Sequence, residues 1–167
     1  MEKNKTKKII KDLIPYIIIL MLVILFRSFI ATPVKVDGKS MFPTLSGNEI
    51  MILNKLGKVD RFDIVVVKNN NDDLIKRVVG LPGETIEIIN NNVYIDGKKI
   101  DDIYGSGESS DYAKRKLEKN EYFVLGDNRE NSMDSRTIGP IKDTQIEGTT
   151  SFVIFPFNKL GNVDNQE

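Results

Sequence analysis

The chain contains no cysteine and no histidine among its 167 residues. These two absences exclude disulfides, thiolate and imidazole metal sites, a cysteine nucleophile and a Ser-His-Asp triad. Any catalysis must therefore use Ser, Thr, Lys, Tyr or carboxylates. A net charge of one sign is lacking as well. The 24 Lys and Arg residues balance 24 Asp and Glu, which leaves no global basic footprint for nucleic acid. The length excludes two large domains and fits one compact domain, with or without an appendage.

The balance conceals an asymmetry. Met1 to Arg27 carries six basic residues, Lys3, Lys5, Lys7, Lys8, Lys11 and Arg27, against Glu2 and Asp12, whereas from Ser28 onward 18 basic residues face 22 acidic ones. Leu13 to Phe26 is uncharged and apolar, and apolar character resumes after Arg27 with Phe29, Ile30 and Ala31. As a helix, Leu13 to Ala31 would reach about 28 Å, close to the ~30 Å hydrocarbon core, with the Arg27 guanidinium snorkelling to the far interface. Pro15 would then fall in the first turn, where its missing N–H costs least. A cleaved leader would need small residues at the end of the run, but Phe29 stands there. A soluble core helix would rarely be apolar all round. The expected organisation is a basic cytoplasmic stub (1–12), a transmembrane anchor (13–31) and an extracytoplasmic domain (32–167). The lysine cluster places the N-terminus in the cytoplasm of a single-pass protein of the plasma membrane.

Beyond Val34 the pattern is short β-rich runs separated by Gly, Pro, Asn and Asp, with no helix-period segment of convincing length. The runs predict strands at Ile50 to Leu53, Phe62 to Lys68, Leu74 to Val79, Thr85 to Ile89, Val93 to Ile95, Tyr122 to Leu125 and Thr150 to Phe155. The triplets Asn69 to Asn71 and Asn90 to Asn92 fall between strands, and Asp96-Gly97 signals a tight turn. Asp101 to Asn120, glycine- and serine-rich and then densely charged, reads as a mobile insertion or the edge of a small subdomain. The fold class is mostly β: a barrel-like antiparallel β-domain tethered by one N-terminal transmembrane helix.

Four segments are more specific than hairpin scaffolding requires. They are Val36-Asp37-Gly38-Lys39-Ser40-Met41-Phe42-Pro43-Thr44-Leu45, Phe62-Asp63-Ile64-Val65-Val66-Val67, Ile75-Lys76-Arg77-Val78-Val79-Gly80-Leu81-Pro82-Gly83-Glu84, and Gly126-Asp127-Asn128-Arg129-Glu130-Asn131-Ser132-Met133-Asp134-Ser135-Arg136. In order and spacing, and following a basic N-terminus and an apolar run, the four blocks resemble type I signal peptidases, in particular the shorter Gram-positive-like form. The resemblance implies a membrane-bound serine endopeptidase that removes N-terminal signal peptides from exported preproteins with a Ser/Lys dyad. Its partners would be those preproteins and the lipid bilayer, near the export translocon.

By the resemblance, Ser40 matches the nucleophile; on pattern alone it also reads as an ordinary turn serine after Asp37-Gly38. Lys76 matches the general base, which needs a pKa depressed by about three units from ~10.4, within reach of desolvation. On pattern alone Lys76, sharing a face with Leu74 and Val78, reads as a snorkelling strand lysine, and it is the resemblance that makes it the base. Arg77 cannot be deprotonated and is excluded as the base. Ser132 matches a serine that orients the base, and Asp134 with Arg136 a supporting ion pair, read here as two positions apart on one strand face. Asp127-Asn128 reads as a turn. The Ser40 N–H is the expected oxyanion donor, because Gly38 stands where some relatives place a hydroxyl. Phe62 stands where glycine is common, and Glu84 where aspartate is frequent. Met41 and Phe42 are expected to rest against the bilayer beside the site. No cofactor or metal is expected: Asp101, Asp102 and Glu108 lack ordered ligand spacing. The rival reading is an inactive or regulatory membrane-anchored β-domain that binds signal peptides without cleaving them.

Overall fold

The structure, a computed structural model, describes residues 2–29, 31–69 and 72–163, with side chains of the N-terminal helix described from Lys11 to Ile24. The expected snorkelling of Arg27, the apolar Ile30, and Asn70 and Asn71 of the first asparagine triplet lie outside the described residues.

The chain opens with helix α1 (Glu2–Phe29). It starts eleven residues before the apolar run, so Pro15 lies in its interior and not in a first turn, which corrects the sequence-based placement. There the proline removes one donor from the helical ladder and crowds the carbonyl of Lys11. Every described residue from Lys11 to Ile24 is exposed. Among the described residues no helix is long and apolar enough to cross a membrane.

The remainder is antiparallel β-structure. In chain order the strands are β1 (Ala31–Lys35), β2 (Ile50–Asn54), β3 (Ile64–Asn69), β4 (Asp72–Gly80), β5 (Thr85–Ile89), β6 (Asn92–Ile95), β7 (Lys98–Lys99), β8 (Tyr112–Lys116), β9 (Glu121–Leu125), β10 (Ile141–Lys142), β11 (Ile146–Phe155) and β12 (Gly161–Asn162), with a one-turn helix α2 (Ser135–Ile138) between β9 and β10. The main sheet runs β1-β2-β11-β3-β4-β9-β10, with β12 on β11, and a second sheet runs β7-β6-β5-β8.

The continuous run Ile64 to Val67 is buried on both faces, which a strand achieves only between two cores. Ile64 and Val66 pack with Val36, Met41, Leu45 and Met51 on one side, while Val65 and Val67 pack with Val78, Val124 and Ile141 on the other. A third cluster, built from Val79, Ile86, Ile88, Ile95 and Phe123, joins the small sheet to the large one. Strand β8 lies inside the 101–120 segment and pairs with β5, so this stretch is the edge of the small sheet, the second of the two expectations.

Two local features place the site. Residues 36–49 form a loop pinched at its base, where Val36 N–H donates to Glu49 O at 2.8 Å and Asn48 N–H donates to Val36 O at 2.9 Å. The buried Glu49 carboxylate accepts from Ser46 and from Lys159 Nζ at 2.7 Å, tying the loop to the C-terminal segment. Phe62 adopts φ 71°, a left-handed conformation costly for a bulky residue and free of that cost only for glycine. Its carbonyl accepts from Arg77 Nη1 at 2.7 Å and its ring packs 5.5 Å from that of Tyr104.

Candidate active site

Strand β4 carries Lys76 toward the 36–49 loop, and the loop returns Ser40 to meet it. Lys76 Nζ donates to Ser40 Oγ at 2.7 Å and to the Ile75 carbonyl at 3.0 Å. Lys76 is 3% exposed. Burial disfavours its ammonium and pulls its pKa down to about 8, against the opposing pull of the Asp134 and Asp127 carboxylates.

Ser40 sits at the head of a turn in which Phe42 N–H donates to Lys39 O and Leu45 N–H to Met41 O. This turn buries Met41 to 2% exposure in the core with Val36 and Leu45, so Met41 does not face a bilayer; the expectation for it is corrected. Phe42, the next residue, is half exposed. Gly38 has φ 80°, and its N–H donates to Asp37 Oδ1 at 2.9 Å, which takes it away from any oxyanion.

The last block does not run as a strand, so the strand-face reading of Asp134 and Arg136 is also corrected. Asp134 is the N-cap of α2, the position where a short carboxylate satisfies orphan N–H groups. It accepts from Arg136 Nε (2.9 Å), Arg136 Nη2 (2.8 Å) and Gly126 N–H (3.0 Å). Burial alone would raise the Asp134 carboxyl, but these hydrogen bonds and the guanidinium charge outweigh it and hold the pKa below the usual carboxylate range. Arg136 reaches on to Arg129 O at 2.8 Å and Ser109 Oγ at 3.0 Å. The Ser132 hydroxyl favours the charged form of Asp134, yet it meets hydrogen-bond geometry with no group among the described residues and does not bond to Lys76. It lies over Gly126, where an added Cβ would come within 2.2 Å of Ser132 Oγ and 2.5 Å of Ser40 O.

Sequence reasoning missed a second ion pair. Arg77, 1% exposed, grips Asp127 with Nε to Oδ1 at 2.9 Å and Nη2 to Oδ2 at 2.8 Å, under the face of Tyr104 at 3.6 Å. Thr44 Oγ1 also donates to Asp127, so one carboxylate ties the Ser40 loop to the strand of Lys76. The available signal was an arginine alternating with Ile75 and Val79 on an apolar face: such a charge needs a buried partner, and the last block offers three acids, Asp127, Glu130 and Asp134, against its own two arginines. Asn128 was missed as well. Its N–H donates to Ser40 O at 3.0 Å and its Nδ2 to Lys39 O at 3.1 Å.

A cleft of about 360 Å³ opens onto the pair, lined among others by Thr32, Val34, Ser40, Leu74 and Lys76. Its two sides are strand edges. β1 pairs only with β2 among the described residues, and β9 pairs with β4 only from Arg77 onward, leaving the Asp72 to Ile75 edge open. Among the described residues no group of three acidic side chains could hold a metal ion.

The geometry thus defines a hydroxyl joined to a buried amine at the end of a strand-lined groove, the arrangement of a serine peptidase that dispenses with histidine. The model of the family described as "Signal peptidase, peptidase S26" matches residues 9–155. Signal peptidase I S of Bacillus subtilis is 40% identical, over 94% of this chain and 95% of that relative, and signal peptidase IB of Staphylococcus aureus is 34% identical, over 96% and 97%. A solved signal peptidase I from Enterococcus faecalis, 32% identical, superposes with a TM-score of 0.51, covering 56% of this chain and 97% of that one. The chain belongs to this family of serine endopeptidases.

Proposed function

We propose that this chain removes N-terminal signal peptides from exported preproteins, with Ser40 as nucleophile and Lys76 as general base. The observation that carries the assignment is the 2.7 Å contact between Lys76 Nζ and Ser40 Oγ, made by a buried lysine whose pKa is drawn down to about 8. When Nζ is neutral the hydrogen bond reverses and Ser40 O–H donates to the amine lone pair.

In acylation, Ser40 Oγ bonds to the scissile carbonyl carbon while its proton passes to Nζ. The Ser40 N–H, which has no partner among the described residues, would donate to the developing oxyanion. Collapse of the tetrahedral centre breaks the C–N bond, and Nζ returns the proton to the leaving amine. Lys76 then takes a proton from water as the water oxygen bonds to the ester carbon, and when the ester C–O bond breaks Nζ returns that proton to Ser40 Oγ. The two open strand edges suit an extended substrate segment, held by main-chain hydrogen bonds as an added strand.

The same reading retains the organisation expected from the sequence: a cytoplasmic stub (1–12), a membrane anchor (13–31) and an extracytoplasmic catalytic domain (32–167) in the plasma membrane, near the export translocon. Support comes from the apolar residues Leu13 to Ile24, exposed on every side of α1 and covered by no other segment among the described residues. The test is to incubate the detergent-solubilised full chain with a preprotein and sequence the new N-terminus. Cleavage at the junction of leader and mature protein is expected; no cleavage, or cleavage elsewhere, contradicts the assignment.

A further inference from the structure

Ser40 is held from behind as well as from the side of Lys76. Its own carbonyl accepts from Asn128 N–H at 3.0 Å, and the preceding carbonyl, of Lys39, accepts from Asn128 Nδ2 at 3.1 Å. One residue thus satisfies two consecutive peptide oxygens, those of the two peptide groups that flank Ser40. With Phe42 N–H also donating to Lys39 O, this fixes the peptide plane that sets the direction of the Ser40 N–H and Cα–Cβ bonds.

Asn128 is itself held by a segment remote from the cleft. Ser106 forms a parallel bridge with it: Ser106 N–H donates to Asp127 O at 2.7 Å and Arg129 N–H donates to Ser106 O at 2.8 Å. Three side chains of the same block reach toward 102–109. The buried Arg129 pairs with Asp102, Arg136 Nη1 donates to Ser109 Oγ at 3.0 Å, and Glu130 Oε1 accepts from Glu108 N–H at 3.1 Å. Gly105 lies against the Arg129 guanidinium so closely that a Cβ there would fall 2.7 Å from Cζ.

We propose that Asn128 is a positioning residue for Ser40, and that the Asp102 to Ser109 segment is a strap that holds Asn128 in register. The proposal rests on the assignment of Ser40 as nucleophile. It gives the 101–120 region a role in catalysis without substrate contact, through the orientation of the nucleophile. Such a role acts on the chemical step and leaves substrate binding and the titration of Lys76 unchanged.

The test is steady-state kinetics of the detergent-solubilised full chain on a preprotein from pH 6 to 10, with Tm measured for each variant and Ser40→Ala assayed alongside. Asn128→Ala removes the donor to Lys39 O; loss of one such bond predicts a roughly three- to tenfold fall in kcat. KM should stay within about twofold and the pH midpoint should not move. Asn128→Asp, of the same shape but with an acceptor facing the Lys39 carbonyl, should lose at least as much, and it serves if the alanine variant does not fold. Gly105→Ala should reproduce the kcat loss from the strap. Wild-type kcat in Asn128→Asp, or a loss that appears in KM alone, would overturn the proposal. Substantial turnover by Ser40→Ala would instead overturn the nucleophile assignment on which it rests.

Discussion

Asp127 holds Arg77 through both of its oxygens, at 2.9 and 2.8 Å, directly behind the strand position of Lys76. The pair places a second carboxylate charge near Lys76, and with Thr44 it binds the nucleophile loop to β4. Both partners are essentially inaccessible to solvent, at 1% and 0% side-chain exposure. Breaking one side of a fully buried pair strands the other, at a cost of about 3 to 5 kcal/mol. Asp127→Asn should therefore lower unfolding stability by that order, measured by urea denaturation with an unchanged m-value. A loss within 1 kcal/mol would mean that the pair contributes little to the fold.

Lys76 should contribute to activity at the expense of stability. Its folded pKa of about 8 lies below its unfolded value of ~10.4, so between these limits the unfolded chain binds more protons and stability rises with pH. Below about pH 8 the destabilisation is fully present, on the order of 3 kcal/mol. Lys76→Met keeps the length of the side chain and removes the buried charge. It should abolish turnover while its Tm at pH 7 equals or exceeds that of the parent, and the difference should shrink toward pH 10. A lower Tm would mark Lys76 as a structural lysine.

The pH dependence of catalysis follows from the same group. kcat/KM should climb through a midpoint near pH 8 as Lys76 loses its proton, and the preceding acid limb should have unit slope. Asp134 raises the Lys76 pKa through its charge. Asp134→Asn should accordingly move the midpoint to lower pH, whatever it does to the maximal rate. A shift to higher pH would contradict this coupling.

Gly126 is a place where no side chain fits. A Cβ there meets Ser132 Oγ at 2.2 Å and Ser40 O at 2.5 Å, so Gly126→Ala must displace the nucleophile loop, Ser132, or both. Displacement on the order of 1 Å at a reacting group can cost about a hundredfold in rate. Gly126→Ala should lose at least tenfold in kcat, on this same scale, while retaining a cooperative unfolding transition. Wild-type kcat would show that the loop accommodates the methyl without moving Ser40.

Features written in local periodicity were legible in the sequence. Thr85 to Ile89 alternates buried and open positions, and its strand matches the expected limits; the strand expected from Phe62 to Lys68 is found as Ile64 to Asn69. Strand β8 was not legible, because Ala113 to Lys116 are all exposed and its pairing with β5 is an edge contact without an apolar pattern. Ser40 and Lys76 were singled out by family blocks and by the absence of other bases, whereas their contact spans 36 residues of chain that only the fold brings together. Asp127 was read as a turn residue because its partner lies 50 positions away. Asp134 and Arg136 were correctly paired on the wrong element, since an N-cap and a strand both place i and i+2 close. Met41 was placed outside because Met-Phe reads as one apolar surface pair, but the turn after Ser40 buries Met41 in the core and leaves Phe42 half exposed.

The dyad is tested most directly by single-turnover cleavage of a preprotein at pH 9 by the detergent-solubilised full chain and its Ser40→Ala and Lys76→Ala variants, each first shown to keep the parent's Tm within a few degrees. The account predicts no cleavage by either variant over a time in which the parent completes its turnover. Cleavage by Ser40→Ala or by Lys76→Ala at a substantial fraction of the parent rate would contradict it.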